Sequence, residues 1–181
     1  MKIIVCDNYD EMSKAAAKIV AEQVKTNPNS VLGLATGSTP IGMYGELAEM
    51  NKRGEIDFKT IRTFNLDEYY PISADNDQSY RYFMNKNLFS KINIDISNTH
   101  ILNGLCEDTT AECENFEKLI EQNGGIDLQV LGIGQNGHIG FNEPSENLNS
   151  RTHLTDLTEN TIQANSRFFD DISDVPTQAL T

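Results

Sequence analysis

Apolar and polar positions along this chain switch repeatedly between the short runs of buried strands and the wider spacing of helices. Residues 2–6, Lys-Ile-Ile-Val-Cys, read as a strand, and Met12, Ala15, Ala16, Ile19, Val20 and Val24 then recur at helical spacing. Asn27-Pro-Asn-Ser30 breaks that pattern, and Val31-Leu-Gly-Leu-Ala35 reads as a strand buried on both faces. A second helix is predicted next, with Thr39 as N-cap, Pro40 in its first position and Met43, Leu47 and Met50 on one side.

The alternation continues. Residues 61–66 predict a third strand despite Arg62 and Asn65, followed by an acidic aromatic loop, Asp67-Glu-Tyr-Tyr-Pro71. Tyr80, Phe83, Met84 and Leu88 mark a helix face, and residues 100–103 form a weak strand. Cys113, Phe116, Leu119 and Ile120 mark a further helix after the capping run Asp108-Thr-Thr110, and residues 127–133 predict the last clear strand. Strands alternating with helices imply an α/β fold, a mostly parallel sheet with helices on both faces. Ligands of such sheets bind beyond the carboxyl ends of the strands. The loops beginning at Thr36, Asp67 and Gly134 all lie there and are expected to converge on one crevice.

Composition narrows the function classes. A chain of 181 residues, 38% hydrophobic and 23% charged, is expected to be a single soluble domain over residues 1–181. No apolar run approaches a membrane span, and the first residues turn polar too early for a signal peptide, so the expected location is the cytoplasm. Cys6, Cys106 and Cys113 lack metal or disulfide spacing and read as packing residues. A net charge of −13 disfavours nucleic acid and anionic membrane as partners, though an anionic small molecule remains open if local groups receive it.

The densest chemistry lies in Gly132-Ile-Gly-Gln-Asn-Gly-His-Ile-Gly-Phe-Asn-Glu-Pro144. Gly132, Gly134 and Gly137 match a dinucleotide-binding pattern, but the helix that pattern requires is not predicted, since Gly140, Pro144 and several turn formers follow. His138 and Glu143 instead read as a base and its orienting carboxylate, with Asn136 and Asn142 beside them. Thr36, Gly37, Ser38 and Thr39 join a buried strand to a helix, and read equally as a simple cap or as a phosphate cradle. Asp67 and Glu68 alone would read as a solvated turn, yet convergence with the other two loops makes Asp67 a candidate for removing a proton α to a carbonyl. Arg167 reads first as a surface ion pair in an acidic chain and second as a grip on phosphate. His100 and His153 have no comparable setting and read as structural.

Five motifs together resemble the glucosamine-6-phosphate deaminase family: Leu34-Ala-Thr-Gly-Ser-Thr-Pro40, Phe64-Asn-Leu-Asp-Glu-Tyr69, the 132–144 loop, Ser150-Arg-Thr152 and Ala164-Asn-Ser-Arg-Phe-Phe169. The resemblance implies a Rossmann-like three-layer fold and a cofactor-free, metal-free reaction in which glucosamine 6-phosphate and water give fructose 6-phosphate and ammonia. On it, Asp67 matches the enolising base, His138 the ring-opening base and Glu143 its orienting carboxylate. Thr36, Gly37, Ser38 and Thr39 with Arg167 match phosphate-binding positions. Asn136 departs from the aspartate that many members carry there, although asparagine can still orient a histidine by hydrogen bonding. The family pattern also continues past Thr181 into further sheet and helix, with another phosphate-binding lysine. Related alternatives are a 6-phosphogluconolactonase-like hydrolase and a sugar-phosphate sensor domain, and a homo-oligomer is compatible with the family.

Overall fold

The computed structural model describes residues 1–134, 136–144, 151–166, 169 and 171–181. Helix α1 (Tyr9–Thr26) opens where the Asn8 side chain accepts a hydrogen bond from the Glu11 N–H. Strand β1 (Val31–Leu34) follows, buried along its whole length, and then α2 (Ile41–Lys52). Strands β2 (Arg62–Asn65) and β3 (Glu68–Tyr70) are separated only by Leu66 and Asp67. Next come α3 (Tyr80–Asn87), β4 (Thr99–His100), α4 (Thr109–Gln122), β5 (Leu128–Gln129), β6 (Leu154–Asp156), α5 (Glu159–Asn165) and β7 (Gln178–Leu180).

Four strands form a parallel sheet in the order β4-β2-β1-β5, with Gly33 facing Phe64 on one side and Gln129 on the other. Helices α1, α2 and α3 cover one face around Val20, Leu32, Tyr44, Leu47 and Phe58, while α4 covers the other through Cys113 and Phe116 against Phe64. This is the three-layer α/β arrangement expected from the sequence. Buried Asn65 is only half satisfied inside β2: its amide donates to the Leu34 carbonyl at 3.3 Å, while its Oδ1 has no partner. No helix among the described residues is long and apolar enough to cross a membrane.

Several expectations change. Residues 2–6 are not a strand: no strand of either sheet pairs with them, and Ile3 and Val5 are 73% and 89% exposed. Apolar composition alone does not make a strand without a ladder partner. The expected strand over 127–133 shrinks to Leu128–Gln129, because its hydrogen bonds to β1 end at Val130 N–H and the Gly33 carbonyl, leaving Leu131 and Ile133 exposed. On α1, Ile19 faces solvent, and the small residues Ser13, Ala17 and Ala21 join Val20 and Val24 in the buried face. Pro40 rather than Thr39 caps α2, with no side-chain cap bond, since its φ of −80° already suits a helix start.

The acidic aromatic segment is also not a loop. Glu68–Tyr70 forms β3, the edge of a second, antiparallel sheet in the order β3-β7-β6, with Tyr69 opposite Ala179 and Ala179 opposite Thr155. The chain therefore passes from one sheet to another across Leu66 and Asp67. That junction sits at the carboxyl end of β2.

Candidate active site

Three loops leave the carboxyl ends of β1, β2 and β5 and meet around a cavity of about 210 Å³ lined by Thr36, Gly37, Asp67, Tyr80, Gly134 and His138. Topology accounts for this convergence: parallel neighbours deliver their outgoing loops to the same edge. A larger space of about 690 Å³ adjoins it through shared His138, Gly140 and Tyr80 and reaches Asn136, Glu143 and Thr158.

Asp67 is 5% exposed, and its Oδ1 has no hydrogen-bond partner. Burial, and secondarily the charge of Glu68, push its carboxyl up to about 8. Such a group gains from meeting either a proton or a positive charge. Glu68 differs sharply although it is also buried, at 2% exposure. Its carboxylate accepts from the N–H groups of Tyr69 at 2.9 Å, Tyr80 at 2.8 Å and Arg81 at 3.0 Å. Burial still raises it, but these donors and the Arg81 guanidinium pull the other way.

Tyr80, the first residue of α3, stacks on Phe141 at 5.8 Å and lies 5.0 Å from the Tyr69 ring. Burial first, then the nearby Asp67 charge, holds its hydroxyl well above the ordinary tyrosine range. It is a neutral hydrogen-bonding group at the cavity wall.

His138 is held by a relay. Its Nδ1 lies 2.6 Å from Asn136 Oδ1, and Asn136 Nδ2 donates to Glu143 Oε2 at 2.7 Å. An ionised carboxylate only accepts, so the asparagine amide faces Glu143 and its oxygen faces the imidazole. Nδ1 is then the protonated nitrogen and Nε2 is left as a proton acceptor. The sequence reading had Glu143 orienting His138 directly, whereas the structure interposes Asn136. Glu143 is anchored in turn by the hydroxyls of Thr161 at 3.0 Å and Thr158 at 3.4 Å, where Thr158 caps α5.

Two glycines make this packing possible. A Cβ on Gly134 would collide with the His138 ring, and one on Gly140, which has φ +61°, would press on Leu66, Thr181 and Asp67.

Gly37, Ser38 and Thr39 are exposed and Thr36 is half-buried at the cavity. The following helix has no cap bond from its own N-cap residue and no acidic residue in its first turn, so apart from the Gly42 N–H its positive end stays available to an anion. Tyr9 steadies this loop, donating to the Ser38 carbonyl at 3.0 Å and accepting from the Gly42 N–H at 2.9 Å. Arg167 lies outside the described residues. His100 packs against Phe64 at 4.7 Å, and His153 Nδ1 contacts the Arg151 carbonyl at 2.9 Å; neither lines the cavity that holds Asp67. Among the described residues no group of three His, Cys, Asp or Glu side chains could hold a metal.

Sequence reasoning missed Tyr80, Tyr9, Thr158 and Thr161 as parts of this region. Tyr80 had the spacing of a core residue, and only its place at the first turn of α3 brings it to the cavity.

A family model described as glucosamine-6-phosphate isomerases/6-phosphogluconolactonase matches residues 7–166. A curated glucosamine-6-phosphate deaminase from Halothermothrix orenii is 61% identical over 181 residues, covering 100% of this chain and 75% of the relative. One from Clostridium perfringens is 60% identical with the same coverage. A solved structure of a monomeric glucosamine-6-phosphate deaminase superposes with a TM-score of 0.96 at 46% identity, over 100% of this chain and 75% of that one. A 6-phosphogluconolactonase from Thermotoga maritima, at TM-score 0.72 and 24% identity over 99% of this chain and 75% of its own, shares the fold. With a match spanning most of its length and relatives at 60% identity or more, the chain belongs to the glucosamine-6-phosphate isomerase/6-phosphogluconolactonase family.

Proposed function

We propose that this chain is a glucosamine-6-phosphate deaminase, converting glucosamine 6-phosphate and water to fructose 6-phosphate and ammonia. The observation that carries the reading is the unpartnered, buried carboxylate of Asp67 in the same cavity as a histidine whose Nε2 is left free by the Asn136–Glu143 relay. Relatives bearing that name at 60% and 61% identity support it.

In this reading His138 Nε2 takes the proton of the anomeric hydroxyl and returns one to the ring oxygen, opening the sugar to its aldehyde. Asp67 then removes the C2 proton, which the neighbouring carbonyl acidifies, O1 takes up a proton as the ammonium gives one up, and the proton held by Asp67 is delivered to C1. The product carries an imine at C2. Water adds there and ammonia leaves, so the last step is a hydrolysis. Electrons only move within the substrate, and the chemistry calls for no redox cofactor. The substrate's ammonium offers Asp67 the positive charge that its surroundings lack, which favours ionisation of the base once substrate is bound.

The phosphate is assigned to the Thr36, Gly37, Ser38 and Thr39 loop at the open end of α2, with Arg167 as a second grip. Asp67, Asn136, His138 and Glu143 come from one chain, so a monomer suffices for these steps. The reading places the chain in amino-sugar metabolism, and we propose a cytoplasmic role downstream of N-acetylglucosamine. The test is to offer the 181-residue chain glucosamine 6-phosphate and, separately, 6-phosphogluconolactone. Ammonia and fructose 6-phosphate from the first are expected; lactone hydrolysis without ammonia release would overturn the assignment.

A further inference from the structure

Glu68 stands beside the assigned base, yet none of the steps above uses it. It is buried, next to another buried carboxyl, and every hydrogen bond recorded for its side chain comes from backbone. The three donors belong to two elements: Tyr69 in β3, and Tyr80 and Arg81 in the first turn of α3. Ser79 already caps α3 through the Tyr82 N–H, so Glu68 occupies donors that the cap does not reach. The carboxylate therefore ties the β2–β3 junction, where Asp67 sits, to the residue that carries Tyr80 into the cavity.

Two adjacent buried carboxyls do not ionise independently, and the charge settles where hydrogen-bond donors are available. Glu68 has three backbone donors, while Asp67 Oδ1 has none. We propose that Glu68 is a positioning residue of the proton-transfer site: it holds the negative charge of the pair, fixes Tyr80 at the cavity wall, and keeps Asp67 neutral until a cationic substrate enters. The inference rests on the reading of Asp67 as the enolising base.

Other ionisable groups around the pair do not offer an alternative home for the charge. Tyr44 from α2 donates its hydroxyl to the Ala35 carbonyl at 2.5 Å. Tyr69 from β3 and Tyr80 from α3 are held neutral by burial. Arg81 from α3 lies on the Glu68 side, anchored to the Thr99 hydroxyl at 2.8 Å and carbonyl at 3.0 Å. From the glycine-rich loop, His138 faces the same cavity as Asp67.

Glu68→Gln keeps an acceptor for Tyr69 and Tyr80 and removes the charge. The pH dependence of kcat/KM for glucosamine 6-phosphate should then show its acid limb moved down by about one unit, because a like charge next to Asp67 is gone. Lower turnover or stability with the limb unmoved would mean a merely structural role and would overturn the proposal. Carboxyl carbon-13 titration of the unmutated protein answers the same question without a variant. Glu68 is expected to ionise before Asp67; the opposite order would sink the idea. Asp67→Asn, followed by exchange of the substrate C2 proton, separately tests the base. If exchange survives there while the carbon-13 titration still shows Glu68 ionising before Asp67, the charge arrangement holds and the role of Asp67 fails.

Discussion

Replacing Asp67 by asparagine separates what this carboxyl does for the reaction from what it costs the fold. Burial and the Glu68 charge raise it from 3.8 to about 8, so between these values the folded protein retains a proton that the unfolded chain releases. Stability must then fall as pH rises through the window, and level off once the folded carboxyl ionises. Neutral pH lies about 3 units above the unfolded value, and each unit is worth about 1.4 kcal/mol, which puts the cost near ~4 kcal/mol. Asparagine has the same shape and cannot ionise. The variant should therefore exceed the wild type by up to about 4 kcal/mol at neutral pH and show almost no gain near pH ~4. Urea denaturation across that range measures both, while turnover should drop by about 10²–10⁴-fold as the general base is lost. A stability difference independent of pH, or a wild type more stable than the variant at neutral pH, would refute the reasoning.

Three further outcomes follow from the same geometry. Asn136→Ala cuts the link between His138 and Glu143, and kcat should fall about 10²-fold through loss of orientation, with the melting temperature little changed. Gly134→Ala drives a methyl into the space of the His138 ring; crystallography should show the imidazole displaced, and a ring in its original position with reduced activity would contradict the account. Tyr9→Phe removes the hydroxyl that bridges Ser38 and Gly42, and KM should rise about fivefold with kcat nearly unchanged, the effect of about 1 kcal/mol of lost loop support.

Much of the architecture was legible because periodicity reports burial. The apolar run at β1, the Asp108 cap of α4 and the Met43–Leu47 spacing of α2 each follow from local chemistry, and each recurs in the structure. The convergence of the Thr36, Asp67 and Gly134 loops was also deducible, because parallel strands send their outgoing loops to one edge. Residues 2–6 show where that logic ends. Their sequence suits a strand, but strand formation needs a neighbour's free N–H and C=O groups, which no local pattern encodes. The antiparallel sheet was hidden for a related reason: β3, β6 and β7 are each three residues long, and β3 pairs with β7 far along the chain, Glu68 opposite Leu180.

By itself the sequence determined the α/β class, the glycine-rich loop and the residue types able to move protons, all of which depend on composition and short-range spacing. Tertiary structure alone decided which of two adjacent carboxyls is solvated by backbone N–H groups and which is not. Glu68 and Asp67 are chemically alike and one residue apart. Packing of α3 against β3 brings the Tyr80 and Arg81 N–H groups to Glu68 and none to Asp67 Oδ1. Desolvation without donors is what sets Asp67 apart.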